Sequence, residues 1–196
     1  TEDEIAPFNI QRANINAPGT PEKINVTYLA IDPSSFLNPG AQEGSKLSDK
    51  DGEQGIVLNA SLKAEGISLG DVIEDATTGV LMKVIGFTED QMFTHSPVGF
   101  ITLETYNDIR TEYNPSYEAS YHAAAVKGSD VQNISIEGLE VFDKSTIINS
   151  LPGYTAEQAT IQMILWVLVL VSAAILGVFF YVITIQKQKE FGVLKA

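Results

Sequence analysis

The sequence predicts an α+β fold: a domain of short strands and short helices, followed by one membrane-spanning α-helix. Two observations carry this. Short runs rich in β-branched and aromatic residues recur between turn-forming clusters along the first three quarters of the 196 positions. Then Ile161 to Ile185, IQMILWVLVLVSAAILGVFFYVITI, holds 25 positions without one charge. A helix rises about 1.5 Å per residue, so the run reaches roughly 37 Å against a hydrocarbon core of about 30 Å. Buried helices of soluble proteins keep a polar stripe, and this run is apolar all round.

Taken in order, residues 1–23 are polar, carry Pro7, Pro18 and Pro21, and predict irregular chain. Ile24 to Ile31 (INVTYLAI) predicts a strand. Residues 33–54, rich in Pro, Gly, Ser and Asp, predict a loop. Gly55 to Leu62 predicts a strand running into a short helix, and Ile67 to Asp71 a turn. Asp71 to Asp75 and Val80 to Phe87 flank Thr77-Thr78-Gly79, the pattern of a hairpin. Val98 to Leu103 predicts a strand and Glu104 to Arg110 a short helix. Ala123 to Val126 and Asn133 to Ile136 predict two further strands, and Phe142 to Asn149 a helix. Pro152 and Gly153 break the chain. Thr155 and Gln158 have the spacing of a capping box, so the long helix is expected to begin above the apolar run with one amphipathic turn. The expected organisation is an outer domain over residues 1–153, the helix over 154–186 and the start of a cytoplasmic segment over 187–196.

Charge sets the orientation. Lys187, Lys189 and Lys195 follow the apolar run, and the positive-inside bias places that end in the cytoplasm and residues 1–159 outside. Of the 25 acidic residues only Glu190 follows the run, and of the 12 basic residues three do, so the part before it carries a net charge of −15. Such a surface repels nucleic acid and anionic headgroups, which excludes DNA or RNA as a partner. The absence of cysteine excludes thiolate chemistry. The chain opens on Thr1 with neither a basic n-region nor an apolar h-region, so none of these residues is expected to form a signal peptide. The expectation is an internal piece of a multi-pass membrane protein, its outer domain incomplete at the N-terminal side and exported by an earlier helix.

Few motifs carry chemistry. No G-x-x-x-x-G-K-[ST] occurs, so the chain binds no nucleotide through a P-loop. The histidines are His95 and His122 alone, which leaves no paired-histidine metal motif, and no G-x-S-x-G elbow is present. Asp49-Lys50-Asp51-Gly52 has half the pattern of a calcium loop, but the position that requires Glu is Ala60. Leu151-Pro152-Gly153-Tyr154-Thr155 has the wrong order for a cell-wall sorting signal. Inside the apolar run, Ala173 and Gly177, with Ser172 beside them, form a small-x-x-x-small pair that admits a close second helix. Small residues are also simply common in membrane helices.

The segment below the membrane, QKQKEFGVLKA, resembles the stretch after the second helix of FtsX/MacB-type ABC transporter permeases. GIVLNASL at 55–62, GISLGD at 66–71, VIGF at 84–87 and PVGFITL at 97–103 resemble that family's extracytoplasmic core domain. Phe87 to Pro97, Leu151 to Tyr154 and Phe179-Phe180-Tyr181 are similar to its haem-exporter branch in Gram-positive bacteria. The resemblance implies a partial MacB-like outer domain and a non-enzymatic permease in the cell membrane. It implies a homodimer, with ATP hydrolysed by a separate cytoplasmic ABC ATPase subunit, no intrinsic cofactor, and haem as exported cargo. Lys187, Lys189, Glu190 and Gly192 then lie where the ATPase docks. Haem iron takes His, Met or Tyr when Cys is absent, and the candidates are Tyr154, Glu157, Met92 and His95. For Tyr154 an interfacial anchor is the simpler role. Antimicrobial peptides or lipoproteins as cargo, a non-transporting cell-division transducer, and a membrane-tethered binding protein are the alternatives.

Overall fold

Glu4–Asn16 forms the longest strand of the protein, β1, with 13 residues, where the polar, proline-bearing sequence predicts irregular chain. The computed structural model describes residues 4–19, 21–48, 54–89, 91–128, 140–151 and 153–193, with side chains through Lys187 in the last helix. The chain divides into two compact units, residues 1–134 and 135–196.

The correction at β1 has a physical cause. Its inward positions include Asn9, which is buried and therefore needs partners. Asn9 Nδ2 donates to Ser120 O at 3.0 Å, and its Oδ1 accepts from His122 N–H at 2.7 Å. Neither partner is visible from the local sequence. Pro7 is tolerated because pairing with the next strand begins only at Phe8, leaving one flank of the strand without a ladder there.

The remaining strands follow in chain order. They are β2 (Ile24–Ile31), β3 (Glu43–Gly44), β4 (Gly55–Asn59), β5 (Val72–Asp75), β6 (Leu81–Thr88), β7 (Met92–Phe93), β8 (Ser96–Thr102) and β9 (Ala123–Lys127). A 3₁₀ helix over Ala60–Glu65 follows β4, and α1 (Leu103–Tyr113) follows β8. The strand at 24–31, the strand-to-helix segment at 55, the 72–88 hairpin, the strand before α1 and the strand at 123 all stand where the sequence predicts them. The strand expected at Asn133–Ile136 lies outside the described residues, as does the Asp49–Gly52 stretch. The expected loop at 33–54 carries the two-residue β3.

The ladder runs β2-β1-β5-β6-β4-β8, and a parallel pairing of β2 with β8 closes it on itself. The β4–β6 pair is also parallel, and β1–β2, β1–β5, β5–β6 and β4–β8 are antiparallel. Because successive side chains point to opposite faces, β4 feeds two cores. Ile56 and Leu58 enter the main cluster with Tyr28, Ile73, Met82 and Phe87. Val57 faces the other way, onto Ile31, Leu47, Val98 and Phe100. Helix α1 starts on Thr102, whose Oγ1 accepts from Thr105 N–H at 3.0 Å. It turns Tyr106 and Ile109 into the main core.

Two polar details hold this arrangement. Asp75 is buried, and its carboxylate accepts from Tyr28 Oη (3.0 Å), Thr77 N–H (3.1 Å), Thr78 N–H (2.9 Å) and Thr78 Oγ1 (2.8 Å). Burial, with the Asp75 carboxylate beside it, pushes the Tyr28 hydroxyl far above its ordinary range. The second detail is a close crossing of residues 42–45 over β6. Ser45 N–H donates to Ile85 O and Gln42 N–H to Phe87 O, both at 2.8 Å. The crossing needs glycine, since a Cβ on Gly86 would lie 2.3 Å from Ser45 O.

Tyr28→Phe keeps the ring and deletes one charge-assisted hydrogen bond, so it should lower stability by about 1.5–3 kcal/mol in urea unfolding. The native phenol stays protonated where the unfolded one titrates, near pH 10. Its contribution is therefore present below that pH and lost as pH rises above it. Tyr28→Phe should flatten part of the alkaline loss of stability. Gly86→Ala should cost about 1–3 kcal/mol by overpacking, read as a lowered urea midpoint of the first unit with the helical signal of the second unchanged.

Candidate functional site

The second unit contains α2 (Lys144–Ser150) and α3 (Tyr154–Val193). Asp143 caps α2, its Oδ1 accepting from Thr146 N–H and its Oδ2 from Ser145 Oγ, both at 2.8 Å. The Thr146 side chain first, then its N–H and the Ser145 hydroxyl, hold the Asp143 carboxyl below its usual value. At 40 residues, α3 is about 60 Å long at 1.5 Å per residue, longer than a bilayer with its headgroups at about 40–45 Å.

The expected capping box does not form. Gly153 sits at φ 88° and its carbonyl accepts from Glu157 N–H at 2.9 Å, so α3 begins at Tyr154. Thr155 is then inside the first turn, and a cap must stand before it. Its Oγ1 reaches Asn149 O instead, at 3.5 Å.

The apolar side chains of α3 from Ile161 to Ile185 are exposed all along the helix, Leu170 to 67% and Tyr181 to 67%. The stretch Tyr154–Lys187 is long and apolar enough to cross a membrane. Water does not tolerate an apolar surface of this extent, and lipid does. The hydroxyl of Thr184 bonds back to Phe180 O at 2.7 Å, which satisfies it within the apolar run. Membrane association through this helix is the coarse function of the second unit. Ser172, Ala173 and Gly177 lie on its exposed surface, and a Cβ at Gly177 would meet no atom within 4 Å. The helix runs on past Lys187 to Val193, so Lys187, Lys189, Glu190 and Gly192 all lie on its last turns; Lys187 is exposed.

The four candidate ligands fall into two pairs. Tyr154 and Glu157 stand three residues apart in the first turn of α3, on neighbouring positions of one face. Tyr154 is half-buried and Glu157 exposed. Met92 and His95 belong to the first unit, in a short hairpin. Phe93 pairs with Ser96, leaving Thr94-His95 as a two-residue turn. Thr94 has φ 57°, an uncommon conformation for a β-branched residue. Its Oγ1 donates to Phe93 O at 2.6 Å and accepts from Arg12 Nη2 at 3.3 Å. His95 is exposed, and Met92 is half exposed.

Asn59, which the sequence reading passes over, fixes this hairpin. It is fully buried, and its Oδ1 caps the 3₁₀ helix by accepting from Ser61 N–H at 2.8 Å. Its Nδ2 donates to Gln91 O at 2.7 Å and to Met92 Sδ at 3.5 Å. The Met92 thioether is thus already engaged. The available signal was local: an Asn between an apolar strand and a short helix is an N-cap. Among the described residues no group of three His, Cys, Asp or Glu gathers to hold a metal ion.

No family model matches the chain. The chain is 28% identical over 191 residues, 97% of its length, to two Staphylococcus epidermidis proteins named "Putative hemin transport system permease protein HrtB", covering 51% of each. It is 26% identical over 141 residues to the protein of that name from Staphylococcus haemolyticus, covering 72% of this chain and 39% of that one. The chain therefore spans about half the length of the curated relatives it matches. Among solved structures it is similar to the extracellular domain of the noncanonic ABC-type transporter YknZ from Gram-positive bacteria. That likeness has a TM-score of 0.46 at 16% identity over 63% of this chain and 64% of that one. The periplasmic region of MacB from Actinobacillus actinomycetemcomitans gives 0.46 at 17% identity, over 67% and 59%.

Leu170→Arg puts a charge deep in the apolar run and should cost about 2.5–3.5 kcal/mol of insertion. Fractionation should show the variant depleted from carbonate-washed membranes relative to wild type.

Proposed function

We propose that the chain is part of a permease subunit of an ABC transporter, one that exports haem and so relieves its toxicity. The observation that carries this reading is the similarity to hemin transport permeases along 97% of the chain. In it, residues 1–159 lie outside the cell, α3 crosses the membrane, and residues 187–196 lie in the cytoplasm as one piece of a multi-pass protein. Two copies of the permease associate, with Ser172, Ala173 and Gly177 as a close helix contact. ATP is hydrolysed by a separate cytoplasmic subunit docked near Lys187, Lys189, Glu190 and Gly192. The permease then works as a lever. A long continuous helix passes motion between the motor and the outer unit more efficiently than a jointed one, and α3 is continuous from Tyr154 to Val193.

Haem is amphipathic and partitions to the membrane surface, so its iron meets ligands at the outer end of α3. Tyr154 supplies a phenolate-type ligand and Glu157, one turn further on, a second oxygen. Met92 ranks below them because its sulfur already accepts a hydrogen bond from Asn59. His95, exposed at its hairpin turn, remains a ligand for haem arriving from the outer face.

Haem titration into the reconstituted protein should give a Soret band that shifts and weakens in Tyr154→Phe, with an apparent affinity about tenfold lower. Cells lacking the permease should fail to grow in haem-rich medium and recover with wild type. An identical Soret band in the variant removes Tyr154 from the site, and unimpaired growth of the deletion strain removes haem as the cargo.

A further inference from the structure

The pairing of β1 with β9 ends at Phe8 and Ala123. One step further the main-chain ladder gives out and side chains replace it. The buried Asn9 amide donates to Ser120 O at 3.0 Å and accepts from His122 N–H at 2.7 Å. The Ile10 N–H donates to Nδ1 of the His122 imidazole at 3.2 Å. An imidazole nitrogen that accepts must be unprotonated, so the ring is neutral with its proton on Nε2. Imidazolium has an N–H on both nitrogens and cannot accept from Ile10. The ring is exposed, so protons reach it.

Groups from α1, from β1 and from the segment leading to His122 lie around the ring. From α1, Tyr106 meets the ring edge-on with centroids 6.1 Å apart. Arg110, one turn on, lies 5.1 Å over the Tyr117 ring of the segment that leads to His122. From β1 the facing groups are the Asn9 and Ile10 amides, while Arg12 bonds to Thr94. Glu118, on the same segment as His122, is exposed to solvent.

We propose that His122 is an acid-released latch: protonation of its ring frees the start of β9, where the chain joins the outer flank of β1. The cargo does not enter this inference, which stands on the bond between Ile10 and His122. Acid at the cell surface would loosen the entry of the chain into β9, beside Phe8 and Ala123, while the closed ladder stays intact.

Hydrogen exchange on the full chain in nanodiscs tests it, at pH 7.5 and 5.5 with intrinsic rates corrected. Protection in peptides covering residues 4–12 and 121–128 should fall about fivefold at the lower pH, the equivalent of one hydrogen bond of about 1 kcal/mol. The β4 peptide, 55–59, should not change and reports that each variant is folded. His122→Gln keeps an acceptor that does not titrate, so its protection should hold at both pH values. His122→Lys should lack it at both, and His95→Gln should respond as wild type. Wild-type protection that persists at pH 5.5, or a His122→Gln response parallel to wild type, overturns the latch. As a measurement free of variants, the Ile10 amide resonance should move with the His122 ring titration; independent movement also overturns it.

Discussion

The first unit depends on one buried carboxylate. Asp75 has no business inside an apolar core unless its charge is met, and four donors meet it. Three of them come from the turn that follows β5 and hold the 72–88 hairpin closed. The fourth, the Tyr28 hydroxyl, belongs to β2, on the far side of β1. One side chain thus ties the turn after β5 to β2, across β1. Ala76 N–H adds a bond to Asn14 O of β1 at 2.8 Å, which pins the same corner. Bonds of this kind are strong because the acceptor is charged and water is excluded.

Closure of the sheet turns that corner into a rigid body. A strand buried on both faces is mostly apolar, and β4 is: all five of its residues are buried, and its polar member, Asn59, is met by Ser61, Gln91 and Met92. The outer face is then covered by the 33–48 loop through Leu37 and Leu47, and by Phe93 of the short hairpin. Surface features of the unit are therefore set by what the closed ladder leaves outside. The Met92–His95 hairpin stands on the Asn59 cap at the end of β4. The His122 contact stands where β1 outruns β9. Both are places at which main-chain pairing stops and side chains complete it.

The second unit obeys a different rule. Its long helix has no core of its own to join, and its apolar surface is satisfied by lipid. Within the run the Thr184 hydroxyl bonds to the helix itself. Such a segment is stiff because every turn repeats the same bonds.

Much of this was legible from residues alone. The strand INVTYLAI, the Thr77-Thr78-Gly79 turn and the apolar run are local patterns, and each appears where the pattern predicts. The transfer free energy of a membrane helix is a sum over consecutive residues, so no distant contact can change its sign. The spacing that puts Tyr154 and Glu157 on one face is likewise a property of the helix. What the sequence hid depends on partners far along the chain. Asn9 reads as a loop residue until Ser120 and His122 arrive beside it, 111 and 113 positions later. Nearer at hand, Thr155 reads as a cap until Gly153 turns the chain two residues too soon. Asn59 reads as an ordinary polar residue until β7 is laid across it. Composition and periodicity by themselves determined that this is an acidic α+β unit joined to a helix long and apolar enough to cross a membrane. Only the tertiary structure decided that the sheet closes, which polar side chains are buried within it, and which histidine completes a strand, because those choices are made by pairings between residues that the chain keeps far apart.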